Sequence, residues 1–166
     1  AATGAIGSAA VQLLKHFGAT VTAVCNAKNV ALVKALGADT VIDYQTQDFT
    51  KTTTTFDFIF DAVGKSSFKQ CKPLLTNKGI YISTELGKNG VNILLALTTP
   101  IGGGKKLLFP LPAISKEDVI FLQELVQSGA FKPVIDRIYH LDQIVEAYKY
   151  VESGEKTGNV ILKVAE

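Results

Sequence analysis

The first ten residues, Ala1-Ala2-Thr3-Gly4-Ala5-Ile6-Gly7-Ser8-Ala9-Ala10, constrain the fold of this chain more than any other stretch. Gly4 and Gly7 stand three apart in a turn that passes straight into a helix. Glycine lets the backbone turn tightly and leaves its N–H groups uncovered by side chains. Those donors sit at the partly positive end of the helix, so the turn suits a phosphate, although such a turn also serves as a plain start to a helix. From Ile6 the apolar residues Ile6, Ala9, Ala10, Leu13, Leu14 and Phe17 follow the series of one buried helical face, and Gly18 stops it.

A helix over about residues 6–17, the connection Gly18-Ala19 and the β-branched run Thr20 to Cys25 make the second half of a βαβ unit of the dinucleotide-binding kind. The hydrophobic strand that would deliver the chain into the turn is missing, so the sequence reads as a piece that begins inside a longer protein. Loss of that central strand would leave a gap of about 4.8 Å per strand position between its two neighbours and strand unpaired backbone groups. The place is expected to be taken by Asn159 to Val164, by a neighbouring chain, or by a preceding disordered segment.

The bulk numbers bound the answer. A chain of 166 residues suits one ordinary core. Lys+Arg 17 against Asp+Glu 15 leaves a net charge of +2 with no block of like charge, so nothing points to a nucleic-acid surface. Cys25 and Cys71 support neither a disulfide framework nor a cysteine-based zinc site, which fits a reducing compartment. The longest apolar run, Val91 to Leu97, is far short of the ~20 residues that cross a bilayer. The default localisation is cytoplasmic, with any targeting sequence upstream lost from view.

Along the chain, strand and helix patterns alternate. A short helix carries Val30, Val33, Ala35 and Leu36 and closes at Gly37, then Ala38 to Tyr44 reads as a strand and the Thr-rich Gln45 to Thr55 as a solvated connection. Phe56 to Val63 is nearly continuous apolar and aromatic, as in a parallel strand covered on both faces. A weak helix from Ser66 to Lys72, a break at Pro73, a strand Gly79 to Thr84, a helix Asn89 to Leu97 and a strand Lys106 to Phe109 before Pro110 follow. Ser115 can cap the next helix, with Glu117 and Asp118 in its first turn, Val119, Leu122, Leu125 and Val126 inward and Gly129 at its end. The tail is strand, helix and strand: Lys132 to Tyr139, a helix with Ile144, Val145, Tyr148 and Val151 on one face, and Asn159 to Val164. The fold class is therefore α/β, a Rossmann-like doubly wound parallel sheet lacking its first strand, with a C-terminal strand-helix-strand appendage.

These residues together resemble the cofactor domain of the medium-chain dehydrogenase/reductases, in the zinc-free quinone oxidoreductase branch. Its Ala-x-x-Gly-x-x-Gly turn is Ala1 to Gly7 here, supported by Ala10-Val11-Gln12-Leu13, Phe17-Gly18-Ala19, Leu36-Gly37-Ala38-Asp39, Val41-Ile42-Asp43-Tyr44, Phe56-Asp57, Asp61-Ala62-Val63-Gly64 and Lys132 to Asp136. The resemblance implies residues 1–130 as an NAD(P)-binding domain and 131–166 as a segment that returns to an N-terminal catalytic domain. It implies an NADPH-dependent reductase of small-molecule quinones or enones, a homodimer when full length, with the protein mainly orienting ring and substrate.

In that family the diphosphate would lie on Thr3, Gly4, Ala5, Ile6 and Gly7. The adenosine ribose is read just before the second helix, where an NAD-preferring domain carries an acid; here stand Asn26 and Lys28, and an ammonium attracts a 2′-phosphate that a carboxylate repels. Tyr44 matches a tyrosine beside that phosphate, or packs on the adenine edge. Val63, Gly64, Leu86 and Gly87 follow two strands at their carboxyl ends, where the nicotinamide half belongs. The family's basic residue before the last strand is replaced by Asn159. His16 and His140 have no metal-ligand spacing with either cysteine, and a catalytic acid, if present, would lie upstream. Two rivals stay open: an enoyl-thioester reductase, and an NADPH-binding interaction protein without activity.

Overall fold

A computed structural model describes residues 2–109, 113 and 115–164. Ala1 of the opening turn and Pro110 lie outside the described residues. The α/β alternation is present throughout, and every ladder between strands is parallel. The chain divides into two compact units, one formed by Ala2–Asp43 with Ile114–Glu166, the other essentially by Tyr44–Ala113.

In the first unit, helix α1 (Ala5–His16) leads to strand β1 (Thr22–Cys25), then helix α2 (Val30–Ala35) and strand β2 (Thr40–Asp43), which pairs with β1. Its core holds Ala2, Val11, Val21, Ala23, Cys25, Val33 and Ala38. The buried face of α1 is not the one the apolar series predicts: Gly7, Ser8, Val11 and Gln12 are buried, whereas Ile6 and Phe17 are exposed. Two small residues let the helix backbone lie close to the core, and the Gln12 amide is bonded inward. Phe17 is instead stacked on Phe121, at 5.9 Å between ring centroids.

Helix α5 (Lys116–Gln127), numbered in chain order after the helices of the other unit, starts at a capping box in which Ser115 and Asp118 bond each other's backbone N–H. Of its four expected inward residues only Leu125 is buried; Val119 is 55% exposed, and Leu122 and Val126 are exposed too. Strand β6 (Ile135–His140), helix α6 (Ile144–Glu152) and strand β7 (Asn159–Lys163) form the expected appendage, a parallel pair with its crossover helix. In α6 the buried residue is Ala147, while Ile144, Val145, Tyr148 and Val151 form an exposed stripe.

The second unit contains strand β3 (Phe56–Asp61), the short helix α3 (Phe68–Cys71), strand β4 (Leu75–Ser83), helix α4 (Val91–Thr98) and strand β5 (Lys106–Leu108), with sheet order β3-β4-β5. Strand β4 begins four residues earlier than Gly79, because Leu75 already pairs with Phe56 across a bulge. Helix α3 stops ahead of Pro73, as expected, and Pro73 sits in the 3-10 turn Lys72–Leu74 that follows, where its missing N–H costs no bond. The β3 strand is not covered on both faces: the neighbouring residues Asp57 and Phe58, which point to opposite faces, are both exposed, Phe58 by 40%.

Among the described residues no ladder joins β1 to β3. The Asn159 to Val164 segment pairs with β6, and among the described residues no ladder joins it to β1 or β3.

Candidate functional site

In the first unit the opening turn is pinned on both sides. The Ala2 N–H donates to Val24 O at 2.9 Å in β1, and the Gly158 N–H donates to Thr3 O at 2.6 Å, where Gly4 and Gly158 form a parallel bridge. Gly4 caps α1 in extended conformation (φ −72°, ψ 175°), with no side chain bonded to the first-turn N–H groups and no acidic residue in that turn. A Cβ built on Gly4 meets nothing within 4 Å. The first turn thus presents unpaired donors, a partial positive charge and open space, and Thr3, Gly4, Ala5, Ile6 and Gly7 are brought together there. Gly7 is buried, and Ile6 points outward.

Asn26 ends β1's extended run and its Oδ1 accepts from Asn29 Nδ2 at 2.8 Å, which fixes the short turn Ala27–Asn29 ahead of α2. Lys28 lies on that turn, exposed, with no ion-pair partner among the described residues. Asn159 is engaged locally, its N–H and its Nδ2 donating to Val134 O at 2.8 and 3.0 Å. A cation does stand beside the turn: Lys156 Nζ donates to Gly158 O at 2.8 Å. Sequence reading overlooked it, and the signal was its place two residues before a glycine that must approach another backbone. Gly158 has φ +71°, and a Cβ there would overlap the Val134 carbonyl oxygen.

In the second unit the loops after β3 and β4 lie at the carboxyl ends of adjacent parallel strands. Val63 and Gly64 are brought to Leu86 and Gly87 through Glu85, whose side chain occupies the space where a Gly64 Cβ would be. Gly64 (φ +63°) and Gly87 (φ +72°) both take left-handed conformations. The loop after β4 is held by the buried Asn92, whose Nδ2 donates to Glu85 O at 2.7 Å and whose N–H donates to Leu86 O at 3.0 Å. Val63 and Leu86 are exposed, and so is Tyr44, which stands at the other end of this unit's sequence, after β2.

Beneath these loops is a buried polar group centred on Asp61, a residue the sequence motifs leave without a role. Its Oδ1 accepts from Val63 N–H at 3.2 Å; its Oδ2 accepts from Ser66 N–H at 3.0 Å, Ser66 Oγ at 2.9 Å and the Tyr81 hydroxyl at 3.1 Å. Burial pushes the Asp61 pKa up, but the hydrogen bonds from Ser66, Val63 and Tyr81 together outweigh it, and the net shift is downward. Burial, with the Asp61 charge adding to it, pushes the Tyr81 pKa up to about 12. An ionised carboxylate and a neutral phenol are therefore the stable pair. The legible signal was an aspartate ending an apolar strand, followed two and five residues on by donors it can bond.

A sequence profile of the zinc-binding dehydrogenases matches residues 36–162. The chain belongs to that family. It is 35% identical over 168 residues to the chloroplast envelope quinone oxidoreductase homolog of Arabidopsis thaliana, covering 98% of this chain and 50% of that protein. Against 2-methylene-furan-3-one reductase of Solanum lycopersicum it is 33% identical over 164 residues, 96% of this chain and 38% of that one. In three dimensions it matches the quinone oxidoreductase of Coxiella burnetii with a TM-score of 0.86 and 28% identity, over 99% of this chain and 51% of the other. The chain thus spans about half the length of the relatives it matches. The resemblance drawn from the opening turn is the one these matches show. The family name implies zinc, but among the described residues no group of three or more His, Cys, Asp or Glu side chains is placed to hold a metal ion.

Proposed function

We propose that this chain is the coenzyme-binding part of an NADPH-dependent reductase of quinones, enones or similarly activated carbonyl compounds. The observation that carries the reading is the first turn of α1, uncapped, free of acid and open at Gly4. The quinone and furanone reductases among its relatives supply the substrate class.

Backbone N–H groups of α1's first turn are assigned to the diphosphate of the coenzyme, with Lys156 as a nearby cation. Lys28, with no acid at the end of β1, is assigned to the 2′-phosphate and distinguishes NADPH from NADH. The Val63–Gly64 and Leu86–Gly87 loops form the second candidate site, which we assign to the nicotinamide half. When bound, the coenzyme supplies a hydride. Exposed backbone at the two glycines and the apolar Val63 and Leu86 side chains would orient a flat ring and keep water from it.

Oxidation of NADPH by the intact protein, measured against a panel of quinones, enones and enoyl thioesters, tests this. Sustained oxidation with a quinone or enone is expected. Turnover confined to enoyl thioesters, or none with any acceptor, contradicts the proposal.

A further inference from the structure

We infer that Asp61 is a positioning residue that sets both loops at the carboxyl ends of β3 and β4, and through them the binding of the nicotinamide half of the coenzyme. The inference rests on the reductase reading above. Four donors converge on one carboxylate: the N–H of Val63, the N–H and hydroxyl of Ser66, and the hydroxyl of Tyr81. The first three belong to the loop after β3. The same residue's carbonyl oxygen accepts from Thr84 N–H at 3.2 Å, at the start of the loop after β4. One residue therefore holds the loop of Val63 and Gly64 by its side chain and the loop of Leu86 and Gly87 by its backbone.

The requirement is for a carboxylate rather than a polar side chain of the same size, because each of its oxygens faces a backbone N–H, which can only donate. An amide in its place must turn its NH2 toward one side. Turned toward Val63, it meets an N–H and releases the backbone of a candidate site residue; turned toward Ser66 and Tyr81, it meets the Ser66 N–H, which cannot accept, and forces both hydroxyls to turn from donating to accepting. Tyr81 anchors the carboxylate from below: its ring is fully buried in the core cluster with Phe68, Cys71, Leu75 and Leu107, so its hydroxyl cannot follow a displaced loop. Gly64 and Glu85 transmit the constraint, since Glu85 fills the space beside Gly64 and its carbonyl is held by the buried Asn92.

The test uses the intact protein and two ligands: NADPH, and 2′,5′-ADP, which lacks the nicotinamide half. Asp61→Asn is expected to raise the Kd of NADPH by about tenfold, the effect of one charge-assisted hydrogen bond, and to change the Kd of 2′,5′-ADP by less than about twofold. Tyr81→Phe removes a single donor and keeps the ring, and serves if Asp61→Asn does not fold; it should show the same split at about threefold. Equal weakening of both ligands would make Asp61 a general structural support and overturn the inference, as would no change in either. Wild-type protein that binds neither ligand would instead overturn the reductase reading itself.

Discussion

The side-chain amide of Gln12 pairs with both backbone groups of Lys132: Lys132 N–H donates to Oε1 at 2.8 Å and Nε2 donates to Lys132 O at 3.1 Å. Gln12 thus does for the segment ahead of β6 what a neighbouring strand would do, from a buried position on α1 that also bonds Ser8 O at 3.3 Å. This contact ties the helix behind the Gly4 turn to the last third of the sequence. Gln12→Leu, of similar bulk, leaves a backbone donor and an acceptor without partners, and should cost about 1–3 kcal/mol in chemical denaturation. Gln12→Glu keeps the acceptor for Lys132 N–H but turns a carboxylate oxygen on the Lys132 and Ser8 carbonyl oxygens, and should cost no less.

Gly158 and Gly129 offer an internal comparison. Both have positive φ, +71° and +73°, but a Cβ at Gly129 meets nothing within 4 Å, whereas at Gly158 it would overlap Val134. Gly129→Ala should cost about 1–2 kcal/mol, the left-handed penalty alone. Gly158→Ala should cost that plus an overpacking penalty of about 1–3 kcal/mol, and should weaken coenzyme binding as the bond from Gly158 N–H to Thr3 O is lost. Denaturation curves of the two variants check the difference.

Asp61 sets an expectation for acid. Its folded pKa lies below the ordinary carboxylate value, so its contribution to stability is complete above the unfolded pKa of about 3.9 and is lost as pH falls through the folded value. Asp39, Asp118 and Asp136, lowered chiefly by the bond from Val21 N–H, by the Ser115 backbone and, against burial, by Thr157 N–H respectively, act in the same direction. The denaturation midpoint should therefore fall steeply below about pH 4. Asp61→Asn should flatten that limb, and an unchanged slope would show that the carboxylate is not ionised in the folded protein.

Much of this architecture was legible because it rests on local rules. The helix after Gly4, the capping box at Ser115 and the alternation of β-branched runs with helical stretches come from spacing and turn chemistry, which a single sequence carries. What was not legible depends on partners far away in sequence. Ile6 and Phe17 have the periodicity of core residues, yet Gly7, Ser8 and Gln12 face inward because a small-residue face and a bond to Lys132 decide the helix orientation. Likewise β3 has the composition of a fully covered strand, and only the packing shows that Phe58 is open. At the candidate sites the glycines were visible, whereas the partners of Asp61, Asn92 and Lys156 emerge only from the folded contacts.

The central claim is that the turn at Gly4 binds the diphosphate of a dinucleotide whose 2′-phosphate is met by Lys28. Titration calorimetry of the intact protein with NADPH and with NADH, repeated on Lys28→Glu, tests it most directly. NADPH is predicted to bind about tenfold more tightly than NADH to the wild type, and the Lys28→Glu variant to lose that preference. Equal affinity of the wild type for the two coenzymes, or a preference that survives the charge reversal, would contradict the account.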